Sequence, residues 1–238
     1  MNRVIDGYGA LELLSKHPRI DPKRIGCLGN SLGARGCLYL NVKRFQKMWG
    51  TPGLEFAASV PMYPGCNVIF KEDDEITNTP IRIHIGELDT YYPADTCVNY
   101  GERLRAKGKD VQVKVYPNTH HSFESKTGGK AKMVIRGHND GRCYYEENQE
   151  LTVDQIGEKS VAVITQIGFN DWLNTATEKQ KNKVFKWHKK GVKFGYRTAL
   201  IRFDKSCVSK SNTMAYNEKA AVEAEKLVRE FIAATLLK

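Results

Sequence analysis

Apolar residues recur along this chain in short runs whose spacing switches between that of helices and that of strands. Val4, Tyr8, Leu11 and Leu14 stand three or four residues apart, which predicts a helix over 4–15 with one buried stripe. The turn at 20–24, Ile-Asp-Pro-Lys-Arg, ends it and leads into a short apolar run at 25–28, read as a strand. Small residues at 30–33 make a tight turn. The stretch 34–48, with Gly36 its only breaker, then predicts a helix carrying Leu38, Val42 and Phe45 on one face. Further strands are predicted at 56–63, stopped by Pro64-Gly65, at 81–85 after Pro80, and at 111–115 before Pro117. A helix at 93–107, closed by Gly108, separates the last two, and 217–237 predicts a long helix burying Ala221, Ala224, Leu227, Val228, Phe231 and Ile232. Strands alternating with helices require crossover connections, so the fold class expected is α/β, a mostly parallel sheet flanked by helices.

The stretch before the last helix breaks this alternation. Gly128-Gly129 and the sequence GHNDGR at 137–142 read as loop, 161–167 as a strand, and 178–205 as a basic segment studded with aromatics. The expected organisation is therefore a core over 1–126, a basic insertion or cap over 127–210, and the C-terminal helix of the core over 211–238. No internal repeat is visible.

Composition narrows the reading. With 238 residues, 41% of them hydrophobic, the chain can bury a core without disulfide staples. No window nears the roughly 18 apolar residues of a membrane-spanning helix. The six cysteines, at 27, 37, 66, 97, 143 and 207, form no CxxC pair, which argues against a structural metal site or a thioredoxin-type redox centre and leaves the compartment open. Asp6 and Glu12 interrupt the apolar stretch that a leader would need, so a cytoplasmic protein is the expectation. Net charge is +10, and the segment 178–205, with ten Lys/Arg against two acids, carries +8 of it. Its cations, interleaved with Phe185, Trp187, Phe194, Tyr196 and Phe203, have the composition of a surface for single-stranded nucleic acid. Basic runs are more often solvated faces, so nucleic-acid binding stands as the lesser alternative.

Candidate chemistry centres on Gly29-Asn30-Ser31-Leu32-Gly33, a GxSxG string. Alone it is weak, but a predicted strand ends just before Ser31 and a predicted helix begins just after it. That is the setting of a nucleophile held on a strained strand-to-helix turn, where neighbouring side chains have no room. A serine hydroxyl needs a base within hydrogen-bond reach, itself oriented by a carboxylate. In a parallel sheet both must project from the carboxyl ends of later strands. Asp89 follows the strand at 81–85 and His121 the strand at 111–115, in the order Ser, acid, His. Glu87 comes too soon after its strand, Asp95 falls in the first turn of a helix where it complements the dipole, and His120 competes directly with its neighbour His121.

Together GNSLG after IDPKRIGCL, GELDTYYPADTC and YPNTHHSFES resemble the dienelactone hydrolase family of α/β-hydrolases, over residues 4–125 and 206–236. The resemblance implies Ser31 as nucleophile, Asp89 as acid, and as base His121 rather than His120, because His121 precedes a small residue and Phe. It implies hydrolysis of a small-molecule ester or lactone with no cofactor and no metal, and the backbone N–H of Leu32 as one oxyanion donor. Founding members use cysteine as nucleophile. Serine at position 31 points instead to a general serine esterase. The family fold carries further strands and an oxyanion loop ahead of the helix with which this chain starts, making this a partial α/β-hydrolase fold with an insertion before the C-terminal helix. Loss of one oxyanion donor costs about 2.7–4 kcal/mol of transition-state stabilisation, and an uncovered sheet edge invites pairing. The isolated chain is thus expected to be a weak or inactive enzyme, or to be completed by a homo-oligomer or by a complementing N-terminal polypeptide.

Overall fold

The computed structural model describes residues 2–126, 133–139, 145–146, 162–165, 198–201 and 209–237. In chain order the elements are α1 (Asn2–Ser15), β1 (Gly26–Asn30), α2 (Leu32–Tyr39), α3 (Lys43–Trp49), β2 (Ala58–Met62), β3 (Val68–Ile69), β4 (Ile81–Gly86), α4 (Ala94–Ala106) and β5 (Val111–Tyr116). They continue with β6 (Met133–Asn139), β7 (Tyr145–Glu146), β8 (Ala162–Thr165), β9 (Thr198–Ile201), β10 (Ser209–Met214) and α5 (Glu218–Leu236). Two compact units result, one of Met1–Asn67, Glu72–Arg142 and Ser209–Lys238, the other of Val68–Lys71 and Cys143–Val208.

The first unit is built on a four-stranded sheet in the order β1-β2-β4-β5, every pair parallel. All five residues of β2 are buried, and Ile81, Ile83 and Ile85 of β4 are shut off from solvent. A parallel strand covered on both faces is rich in apolar residues, as β2 is, and in β4 three buried isoleucines alternate with Arg82 and His84. β1 stands at the sheet edge, with Leu28 55% exposed.

α1 buries Val4, Tyr8 and Leu11, and the Tyr8 hydroxyl donates to the Leu40 carbonyl at 2.8 Å. Leu14, expected on the same stripe, is instead exposed, in the last turn of the helix. The single helix expected over 34–48 is two, α2 and α3. Asn41 breaks it: its side-chain amide donates to the carbonyls of Cys37 (2.8 Å) and Leu38 (3.1 Å), satisfying the open end of α2 and competing with helix continuation. Leu38, Val42 and Phe45 are nevertheless all buried. α5 is capped by Asn217, whose side chain accepts from the Ala220 N–H. Its inner face is Ala220, Ala224, Val228 and Phe231, with Ala221, Leu227 and Ile232 half-buried beside it.

Residues 137–139, expected as loop, are strand. They belong to β6, which pairs antiparallel with β10, for example Ile135 with Asn212. The partner lies some seventy residues away, and a ladder supplied from that distance overrides the weak strand preference of Gly137. In the second unit β3 pairs parallel with β7, β7 parallel with β8, and β8 antiparallel with β9. β8 falls inside the strand expected at 161–167. Of the basic segment 178–205 only β9 is described, so the nucleic-acid alternative rests on residues outside the described ones, as do Gly128, Gly129 and 140–142. Two disulfides, Cys27–Cys37 and Cys66–Cys97, crosslink the first unit. Among the described residues no helix is long and apolar enough to cross a membrane.

Candidate active site

β1 runs into Ser31 and α2 leaves from it, with Ser31 at φ 51°, ψ −113°, a conformation that non-glycine residues hold only under constraint. The constraint is visible: the Ser31 N–H donates to the Met62 carbonyl at 2.9 Å and its carbonyl accepts from Arg35 N–H at 3.1 Å. Gly29 is needed because a Cβ there would lie 2.5 Å from the Gly33 carbonyl carbon. Gly33 is not needed on those grounds, since a Cβ on it would meet nothing within 4 Å. Leu32 opens α2, at the end where a helix leaves backbone N–H groups free of intrahelical partners.

Asp89 is buried in the turn after β4. Its Oδ1 accepts from the backbone N–H groups of Tyr91 (2.8 Å) and Tyr92 (2.9 Å). That leaves Oδ2 for the imidazole of His121, 2.7 Å away at Nδ1. His121 is 2% exposed, and its Nε2 lies 2.9 Å from Ser31 Oγ. With the acid at Nδ1, the ring is the Nδ1–H tautomer and presents a lone pair to the serine hydroxyl, which donates to it. The loop bearing His121 is pinned from behind: its carbonyl accepts from Ala215 N–H at 3.2 Å, and the Asn217 amide donates to Thr119 Oγ1 at 2.8 Å.

The structure thus brings Ser31, Asp89 and His121 into one hydrogen-bonded line and leaves their rivals aside. His120 turns to the Leu88 carbonyl (3.1 Å), Glu87 accepts from the Asn118 N–H (2.8 Å), and Asp95 stands exposed in the first turn of α4.

Sequence reasoning missed an aromatic and acidic surround. Tyr63 and Tyr91 pack their rings against His121 at centroid distances of 4.5 and 4.6 Å, and Tyr92 lies at 5.8 Å. Tyr63, just past β2, holds φ 41°, and its hydroxyl donates to Glu124 Oε1. Burial, reinforced by that carboxyl, pushes the Tyr63 phenol far above its ordinary range. Glu124 Oε1 also accepts from the Asn30 amide at 2.6 Å. Asn30 precedes the nucleophile and Glu124 follows the base by three residues, a proximity that hinted at their importance. The disulfides brace the same region: Cys27–Cys37 joins β1 to α2 on either side of Ser31, and Cys66–Cys97 joins the segment after Tyr63 to α4. Among the described residues no group of three or more His, Cys, Asp or Glu side chains could hold a metal ion.

A mostly parallel sheet flanked by helices, with a serine on the turn between its edge strand and the next helix, is the arrangement of an α/β-hydrolase fold. Within that class the chain belongs to the dienelactone hydrolase family, whose model matches residues 1–152. Among solved structures it is similar to a thermophilic esterase from Thermogutta terrifontis in its propionate-bound form, at 17% identity and TM-score 0.42, covering 53% of this chain and 57% of that one. The same esterase phosphorylated by paraoxon matches at 17% identity and TM-score 0.41, over 50% of this chain and 53% of that one. A Klebsiella pneumoniae protein provisionally described as a dienelactone hydrolase matches at 21% identity and TM-score 0.41, over 51% of this chain and 50% of that one. The chain spans about half the length of these solved structures. No curated protein matches it.

Proposed function

We propose that this protein is a serine hydrolase acting on small carboxylic esters or lactones, with Ser31 as nucleophile, His121 as base and Asp89 as the acid that orients it. The observation that carries this reading is the unbroken relay from Asp89 Oδ2 to His121 Nδ1 (2.7 Å) and from His121 Nε2 to Ser31 Oγ (2.9 Å). Both distances lie within hydrogen-bond reach.

In the first half of the reaction Ser31 Oγ attacks the substrate carbonyl carbon while its proton passes to His121 Nε2. Asp89 stays ionised and steadies the imidazolium. The oxyanion that forms takes a hydrogen bond from the backbone N–H of Leu32. Collapse of the tetrahedral intermediate breaks the ester C–O bond, and the proton moves from His121 to the departing alkoxide, leaving an acyl-serine. A water molecule then attacks the acyl carbon as His121 takes its proton. The bond to Ser31 Oγ breaks with that proton returned from His121 to the serine, and the carboxylic acid leaves.

The test is turnover of p-nitrophenyl acetate by purified protein beside Ser31→Ala. Hydrolysis that falls to the buffer rate in the variant is the expected outcome, and equal hydrolysis by both proteins would refute the assignment. As to compartment, disulfides persist where the environment is oxidising, so the two crosslinks favour such a setting over the cytoplasm expected from composition.

A further inference from the structure

Glu124 is a second acid beside the reacting groups, and the relay from Asp89 to Ser31 makes no use of it. Its Oε1 receives two donors, the Asn30 amide at 2.6 Å and the Tyr63 hydroxyl. Its Oε2 is buried without a hydrogen-bond partner among the described residues. Among the described residues the carboxyl also makes no ion pair that would explain its presence as a structural anchor. Among the described residues its hydrogen bonds go to two side chains that flank the reactive serine and imidazole.

What these two side chains hold is specific. Asn30 is the last residue of β1 and is bonded directly to Ser31. Tyr63 follows β2, holds a left-handed backbone (φ 41°), and sets its ring edge-on to His121 at 4.5 Å, while Tyr91 packs at 4.6 Å. Met62, beside Tyr63, accepts the Ser31 N–H at 2.9 Å. Glu124 itself lies on the loop that carries His121. One carboxyl oxygen thus ties together the end of β1, the end of β2 and the loop after β5, the three places from which Ser31, its backbone support and its base come.

We propose that Glu124 is a positioning residue that fixes the distance and orientation between the Ser31 hydroxyl and the His121 ring, acting through Asn30 and Tyr63. The inference rests on the serine hydrolase reading above. A hydrogen bond from serine to imidazole weakens steeply as the ring tilts, and misplacement by about 1 Å lowers rates by about a hundredfold. Removing Glu124 leaves the Tyr63 hydroxyl and Asn30 amide without their shared acceptor and frees the Tyr63 ring to drift from His121.

The experiment follows the rate at which a fluorophosphonate probe labels Ser31, read by intact mass, for wild type, Ser31→Ala, Glu124→Ala, Glu124→Gln, Tyr63→Phe and the Glu124→Ala/Tyr63→Phe double variant. Expected are no labelling of Ser31→Ala, a slowing of about tenfold or more in Glu124→Ala, and recovery of most of that loss in Glu124→Gln, which keeps an acceptor oxygen. Tyr63→Phe should share the defect, and the double variant should be no slower than the slower single one, because both lesions cut the same link. Where p-nitrophenyl acetate is turned over, kcat per folded enzyme, with the folded fraction set by active-site titration, should fall in Glu124→Ala with KM nearly unchanged, whereas general destabilisation would lower the folded fraction and leave that normalised kcat intact. Labelling of Glu124→Ala at the wild-type rate, or a double variant slowed by the product of the single effects, overturns the inference alone. Failure of wild type to label at all overturns the hydrolase reading and this inference with it.

Discussion

The two glycines around Ser31 look equivalent in the GxSxG string and are not equivalent in space. A methyl group on Gly29 would sit 2.5 Å from the Gly33 carbonyl carbon and 2.8 Å from the Ala34 nitrogen, backbone atoms that can yield only if the elbow opens. Gly29→Ala should therefore destabilise the protein by about 2 kcal/mol or more and abolish fluorophosphonate labelling. Gly33→Ala meets open space at the second position of α2. It should keep its labelling rate and hold or raise the melting temperature, since alanine is favoured over glycine in a helix by up to about 1 kcal/mol. Thermal melts and labelling of the two variants side by side check this contrast. The same scale explains the choice between His120 and His121. Both sit at the right distance from β5 in the sequence, the motif favours His121, and in space the ring contacts separate them, Leu88 for one and Asp89 with Ser31 for the other.

Between elements, the pairing of β4 with β5 creates a pH dependence. His84 on β4 is buried, its Nδ1 is 2.7 Å from the Tyr116 hydroxyl of β5, and the two rings stack with centroids 5.9 Å apart. Burial, helped by the cations of Lys114 and Arg82, lowers its pKa from 6.5 to about 4. The folded protein thus resists a proton that the unfolded chain accepts below pH 6.5. Stability held at neutral pH is lost as pH falls from 6.5 to about 4 and changes no further on this account below that. The loss is of the order of 3 kcal/mol. Urea titrations at several pH values should show it, and His84→Asn should flatten that slope. Elements also show where reading by local pattern stops. The strands β2, β4 and β5 and the helix α4 lie close to their expected bounds because their burial is written in contiguous residues. The break between α2 and α3 hangs on one side chain, Asn41, folding back on α2, and β6 exists only by virtue of β10.

For the molecule as a whole, the crosslinks bear on both stability and setting. Cys27–Cys37 closes a loop over a separation of 10 residues and Cys66–Cys97 over 31, for which chain entropy predicts about 3 and about 4 kcal/mol. Replacing Cys27 and Cys37 by alanine should lower the unfolding free energy by about 3 kcal/mol in urea. Non-reduced protein should resist alkylation at these four cysteines until a reductant is added. Free thiols at all four in the native protein would exclude both bonds and remove the argument for an oxidising compartment.

The alternation of strands and helices in the parallel sheet, and Ser31, Asp89 and His121 as candidates, were legible in the chain alone, whereas the break between α2 and α3 and the strand β6 were not. Periodicity, turn residues and motif spacing are properties of short windows, and each of the three candidates lies a few residues past a predicted strand. Which cysteines pair, that Glu124 reaches both Asn30 and Tyr63, and that one imidazole of an adjacent pair faces the serine depend on how four parallel strands register against one another. Residues 90 apart in sequence meet within 3 Å only through that register, and no local pattern encodes it.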